Sequence, residues 1–239
     1  MMRPSRSSAR HARLLLAALP LAALVFVVGF VPGGDDASTE ADAIEAARAT
    51  QVAQEQVLRG RLLVINHDCG GCHGGFGNPE AEGWLAGMMG PEQEFKIGPC
   101  LVDPGAEPCF LTRPRNLTPD NTTGIGRFSE RQIFNALRYG LRPGESPDVE
   151  ITSSVPGEGS FPQNPKFLAP PMPWPAFRHM SDQELWDIAA YLKRGLQPVN
   201  NRVEDSEGPP DFWASAYTVE AIGTYPAPAF PTARERQPQ

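Results

Sequence analysis

The sequence predicts an all-α domain whose helices are joined by long ordered loops, and three observations predict it. Ser129-Glu130-Arg131-Gln132 and Ser181-Asp182-Gln183-Glu184 each place a hydroxyl three residues before Gln or Glu, the reciprocal capping pattern that opens a helix. Glycine and proline make up 49 of 239 residues, about 21%, nearly twice ordinary usage but below the range of disordered chains. No stretch alternates apolar and polar residues as a half-buried strand requires, so a doubly wound α/β enzyme is a poor reading.

Residues 14–31, LLLAALPLAALVFVVGFV, form an uncharged run. Eighteen helical residues span about 27 Å, close to the hydrocarbon thickness of a bilayer. Arg3, Arg6, Arg10 and Arg13 precede the run, and Asp35 and Asp36 follow it, which orients the N-terminus inside. An uncleaved anchor over 1–31 fits this length better than a cleaved signal peptide, whose apolar core is shorter. Pro20 and Gly29 weaken the helix, and Val27-Val28-Gly29 is a passable cleavage site. Both readings place the remainder on the extracytoplasmic, periplasmic side, where disulfides persist.

Residues 32–37 read as a break leaving the membrane. From Ser38 to about Asn66, Ile44, Val52, Val57, Leu58, Leu62 and Ile65 recur at mostly helical spacings, predicting one or two helices. A long loop runs from Gly70 to about Arg127. The first capping box opens a helix carrying Ile133, Phe134 and Leu137, with Gly140 as its stop. A Pro-dense stretch from Arg142 to Phe177 precedes the second box, whose helix carries Leu185, Trp186, Ile188 and Leu192 and stops at Gly195. The tail from Asn200 onward is polar and Pro-rich yet holds Phe212, Trp213, Tyr217, Tyr225 and Phe230; folding back over the body is the preferred reading, docking a partner the other.

Charge narrows the function. The 21 basic and 28 acidic residues leave −7, and because the region before residue 32 holds four arginines and no acid, the body carries −11. A nucleic-acid binder neutralises phosphates with clustered Lys and Arg, so that class is excluded.

The chemistry sits in Cys69-Gly70-Gly71-Cys72-His73. Two thiols three positions apart can add to the two vinyl groups of a haem, and the adjacent imidazole can reach the iron. The two glycines let the backbone turn against the macrocycle without a Cβ in the way. With four Cys and four His in 239 residues, about 0.001 such matches arise by chance. A redox dithiol expects a strand-to-helix context that is absent, and Cys100 and Cys109 are too widely spaced to complete a zinc knuckle. Four methionines of the body are candidates for the opposite face of the iron: Met88, Met89, Met172 and Met180. Met172 lies in Pro170-Pro171-Met172-Pro173-Trp174-Pro175, where fixed φ angles predict a stiff extended loop suited to holding a thioether in place. It is the preferred ligand; the competing reading is a methionine filling an apolar gap.

From about Gly60 to Arg202 the chain resembles a class I c-type cytochrome domain. In particular it resembles the single-haem modules in cytochrome subunits of membrane-bound alcohol and gluconate dehydrogenases. The attachment motif carries the resemblance, with Asn116-Leu117-Thr118-Pro119-Asp120, Thr123-Gly124-Ile125-Gly126-Arg127-Phe128-Ser129, Met172-Pro173-Trp174 and Ala189-Ala190-Tyr191-Leu192. It implies a cytochrome c-like domain over 60–202, flanked by a linker and helix over 32–59 and a Pro-rich aromatic tail over 203–239. It implies one covalent haem c held by Cys69, Cys72, His73 and Met172, with His73 and Met172 as iron ligands. It also implies that Gly60 in the first helix crosses close to Tyr191 in the last. Such dehydrogenase subunits carry several haem modules; this chain has one CxxCH motif.

Cys100 and Cys109 enclose eight residues, and in an oxidising compartment a disulfide there is expected to contribute about 2–3 kcal/mol. Arg113 and Arg115 read equally as partners of haem propionates or as solvated charges. Trp174 reads as a propionate donor, a haem-edge contact or core. His67 and His179 are minor alternatives as ligands. The resulting expectation is an electron carrier rather than an enzyme, with a dehydrogenase or respiratory complex as redox partner. The rival is a haem-based catalyst or sensor with a displaceable sixth ligand.

Overall fold

The computed structural model describes residues 36–90 and 93–237. The apolar run 14–31 lies outside them, and no helix among the described residues is long and apolar enough to cross a membrane. Contacts divide the chain into 1–43, whose described residues 36–43 are helical, and 44–239, which carries everything that follows.

Helix α1, Asp36–Asn66, is one continuous helix rather than two. The apolar positions that suggested it do not share one buried face. Val64 is fully buried and Val57, Leu63 and Ile65 partly so, whereas Ile44, Val52, Leu58 and Leu62 are exposed. The crossing with helix α5, Asp182–Ala190, explains the inner face. A Cβ on Gly60 would collide with the Asp187 carbonyl and the Tyr191 side chain, so only glycine permits this approach. Beside it Arg59 donates two hydrogen bonds to the buried Asp187 carboxylate, at 2.7 and 3.2 Å.

Helix α2, Cys69–His73, starts one turn after α1, beyond Asp68 at φ 50°. Strands β1, Phe95–Ile97, and β2, Phe110–Thr112, then pair antiparallel with Phe95 opposite Thr112 and Ile97 opposite Phe110. The chain is therefore mostly helical with a small sheet, not all-α. Three-residue strands are too short to leave an alternating pattern in sequence. Their hairpin is closed by the Cys100–Cys109 disulfide, and Leu111 also bridges Glu207 of the tail.

Helix α3, Glu130–Tyr139, begins with the complete capping box at Ser129 and ends at Gly140 in the left-handed conformation, φ 69°. It buries Ile133, Phe134 and Leu137 against Leu185 and Ile188 of α5, whose box at Ser181 is also complete. Each such buried aliphatic side chain contributes about 1.5–3 kcal/mol. After Ala190 the helix widens into a π turn over Tyr191–Gly195, where a Cβ on Gly195 would lie 2.7 Å from Val57 Cγ1. That terminus is set by close approach, not by a left-handed cap.

Pro170–Pro175 is not extended. The Met172 amide donates back to Ala169 O at 2.9 Å, the Trp174 amide donates to Met172 O at 2.8 Å, and helix α4, Trp174–Phe177, follows at once. Proline at the second helical position suits a helix start, because its missing N–H would have no partner there. The aromatic tail folds back onto the body. Trp213 is buried against Phe110, Tyr217 meets the Trp174 and Phe167 rings edge-on, and the short helix α6, Val219–Ile222, comes after.

Candidate haem-attachment site

The attachment motif forms the whole of α2. Its glycines face protein. A Cβ on Gly70 would enter the Trp84 ring, and one on Gly71 would strike the Asp68 carboxylate. Both glycines therefore have a packing reason on the inner side of the turn. Trp84 is itself held by its indole N–H, which donates to the Tyr191 hydroxyl at 3.0 Å.

His73 is fixed through one nitrogen. Nδ1 lies 2.7 Å from the Arg115 carbonyl oxygen, so the ring donates there and Nε2 keeps its lone pair. Burial pushes the imidazole pKa down, which also favours the neutral ring. Burial, with the Asp68 charge second, pushes the Cys69 thiol up to about 12, and Cys72 moves the same way. A catalytic dithiol requires a depressed pKa, so this pair is poor redox machinery despite its CxxC spacing. Both thiols are free.

Met172 and Cys69 are both partly buried and pack against the cluster that holds Val64, Leu185 and Ile188. The His67 ring, two residues before Cys69, lies 5.3 Å from the Phe177 ring in α4, which joins the two segments directly. Of the other methionines, Met89 is 58% exposed, the Met88 amide donates to Pro114 O, and Met180 packs against the same cluster as Met172. His179 is exposed beside Tyr225. Trp174 is core, lodged over Gly140 and stacked on Phe167.

Arg113 is buried and already engaged by Glu94 at 2.6 Å, Glu207 at 2.6 Å and the Asp205 carbonyl. It is neither solvated nor free for a propionate. Arg115 donates to the Val203 and Glu204 carbonyls at 3.1 and 3.0 Å. These two arginines clamp the start of the tail onto the loop that carries the His73 acceptor.

Two residues hold this geometry through contacts that the sequence does not show: Gln93, which no motif marks, and Asn116, which the resemblance marks without a role. Gln93 is buried and donates to the Gly71 and Cys72 carbonyls at 3.4 and 3.2 Å while accepting from the Met89 amide. It thereby satisfies the exposed end of a five-residue helix. Asn116 donates to Thr123 Oγ1 and Val199 O and accepts from the Thr118 amide and hydroxyl. The Asn116–Asp120 segment is thus a loop brace, completed by the Asp120 carboxylate, which accepts from the Thr122 and Thr123 amides. A cavity of about 300 Å³ lies elsewhere, between Arg131, Asn135, Tyr139, Trp186 and Tyr225.

No family model matches the chain. It is 28% identical over 165 residues to the gluconate 2-dehydrogenase cytochrome c subunit of Pantoea cypripedii, covering 69% of this chain and 29% of that protein. It is 25% identical over 144 residues to the fructose dehydrogenase cytochrome subunit of Gluconobacter japonicus, covering 60% and 22%. It is 32% identical over 84 residues to the alcohol dehydrogenase (quinone) cytochrome c subunit of Komagataeibacter europaeus, covering 35% and 14%. The chain is a distant homologue of dehydrogenase cytochrome c subunits. This cytochrome homologue spans less than a third of the length of those relatives. The homology implies covalent haem c, and the residues present fit it: the Cys69/Cys72 spacing, two neutral thiols, and an imidazole whose Nε2 is left unclaimed.

Proposed function

We propose that this protein is a one-haem c-type cytochrome that carries single electrons outside the cytoplasm, accepting them from a dehydrogenase partner. The observation that carries the reading is α2 itself, with Cys69, Cys72 and His73 on one short helix and the His73 ring pinned to Arg115 O. In this reading Cys69 and Cys72 hold the haem through thioether links and His73 and Met172 ligate its iron. Such a group supplies a one-electron couple. The chain supplies the rest. The Arg115 carbonyl keeps the His73 proton on Nδ1, and a thioether donor with an apolar surround favours the reduced, less charged state. With His73 and Met172 both holding the iron, such a group would have no site left for oxygen or peroxide. Residues 14–31 anchor the carrier to the membrane, which raises its effective concentration near membrane-bound partners.

The test is an optical spectrum and haemochrome assay on protein matured in a host equipped for c-type cytochromes. One haem per chain is expected, with no carbon monoxide binding to the reduced protein at neutral pH. Met172→Ala is expected to lower the reduction potential and admit carbon monoxide. Colourless protein overturns the cytochrome, and a variant with an unchanged spectrum moves the sixth ligand away from Met172.

A further inference from the structure

We propose that the cavity between α3, α5 and the aromatic tail binds a small aromatic carboxylate that also carries a hydroxyl group. The inference goes beyond the cytochrome reading and does not depend on it, because none of Cys69, Cys72, His73 and Met172 lines this cavity.

Helical spacing builds the first wall. Arg131, Phe134, Asn135 and Arg138 stand at i, i+3, i+4 and i+7 of α3 and so share one face. Asp182 and Trp186, one turn apart on α5, form a second wall, and Tyr225 of the tail a third. The space is about 300 Å³, at the lower end of the range for small-molecule sites, so it suits a single ring. Phe134 and Trp186 stack with centroids 4.7 Å apart, and Tyr139 and Tyr225 add two more rings to the lining. Such walls favour a flat, aromatic occupant.

Two polar groups then define what the ring must carry. The Arg131 guanidinium lies 4.4 Å from the Trp186 ring centroid and 5.3 Å from that of Phe134. A guanidinium whose face is covered keeps its in-plane N–H groups, the fork that receives a carboxylate in two-pronged fashion. No acid claims it among the described residues: neighbouring Glu130 is held by Arg194 at 2.9 Å, and Asp182 by Arg138. Glu150, the remaining acid of the lining, is exposed to solvent. Arg138 is spent on Asp182 and on the Arg178 and Met180 carbonyls, which leaves Arg131 as the unpaired cation of the described lining. Asn135 is fully buried, and its amide N–H groups donate to the Pro147 and Val149 carbonyls at 2.8 and 3.0 Å. Those two bonds fix the orientation of the amide and leave its Oδ1 without a partner among the described residues. A buried acceptor with no donor is costly, and a ligand hydroxyl would satisfy it. A purely apolar occupant would leave both groups unserved, and a cation would be repelled by Arg131.

The experiment titrates 4-hydroxybenzoate into the full chain at neutral pH and follows the heat. Saturable binding with a Kd below about 1 mM is expected. Benzoate, which lacks the hydroxyl, is expected to bind about fivefold more weakly, and 4-hydroxybenzamide, which lacks the charge, at least about tenfold more weakly. Arg131→Gln is expected to weaken 4-hydroxybenzoate at least about tenfold, and Tyr225→Ala, which opens the tail-side wall, about threefold. Arg127→Gln serves as the control, since Arg127 is exposed and lies over the Phe128 ring, outside the cavity, and its affinity should equal that of wild type. Circular dichroism reports whether each variant is folded, and Tyr225→Ala carries the test if Arg131→Gln is not. No saturation up to about 10 mM, an amide that binds as well as the acid, folded cavity variants that bind like wild type, or an equal loss in Arg127→Gln would each overturn the site. The heat of binding does not report on the haem, so failure here and failure of the cytochrome reading are separable.

Discussion

At Gly60 there is no space for a methyl group. A Cβ there would fall 1.8 Å from the Asp187 carbonyl oxygen and 2.8 Å from Tyr191 Cβ, while the adjacent Arg59 grips the Asp187 carboxylate. Gly60→Ala forces α1 and α5 apart, and overpacking of this kind costs about 1–3 kcal/mol, a loss of several degrees in Tm. Thermal unfolding followed by circular dichroism checks it, and an unchanged Tm would mean that the helices slide freely. The importance of Gly60 and of the Cys69–His73 segment was legible in sequence, because spacing and resemblance mark both. The contacts of Gln93 and Asn116 were not. The carbonyls that Gln93 serves lie 21 and 22 residues away, and Asn116 reaches Val199 across 83 residues. A local pattern cannot encode such distant partners. Arg113 misled for the same reason: Glu207, which neutralises it, sits 94 positions downstream.

The elements whose boundaries depend on neighbouring residues were readable. Both capping boxes and the Gly140 stop stand where the pattern places them, since a hydroxyl, an acid or amide three residues on, and a left-handed glycine are all local signals. The β1–β2 hairpin was not readable, because its three-residue strands exist only through pairing with each other and with Glu207. The disulfide across its loop was foreseen from spacing and compartment. Replacing both Cys100 and Cys109 by Ser is expected to cost about 2–3 kcal/mol by loop entropy. Denaturant titration of the double variant against wild type measures that cost. A difference under half a kcal/mol would show that the hairpin holds without its covalent closure. The Pro170–Pro175 segment shows the opposite failing of a local rule: proline restricts φ, but restricted φ also suits a turn and a helix start, and hydrogen bonds to Ala169 and Met172 select those.

Across the whole molecule the C-terminal region acts as a belt. Between Val199 and Tyr217 it takes hydrogen bonds from Asn116 and Arg115, extends the hairpin at Glu207, buries Trp213 on Phe110 and sets Tyr217 against Trp174. Ending the chain at residue 206 is expected to lower Tm by several degrees and to raise binding of a hydrophobic dye, as Phe110 and Trp174 lose their cover. Unaltered dye binding would make the tail an ornament. The composition gave the tail its aromatic residues but not their destinations, since a Pro-rich polar segment reads the same whether it packs or dangles. The Cys100–Cys109 link has one more consequence, for biogenesis. If the chain is exported as proposed, its four thiols can form six different single bonds, and only the one that joins Cys100 to Cys109 leaves both Cys69 and Cys72 available. The eight residues between Cys100 and Cys109 favour that couple over the cross pairings, which would close loops of 27 to 39 intervening residues. In the proposed exported cytochrome the hairpin would work as a sorting device: by sequestering two sulfurs early, it keeps the other two from cross-pairing before a haem is attached.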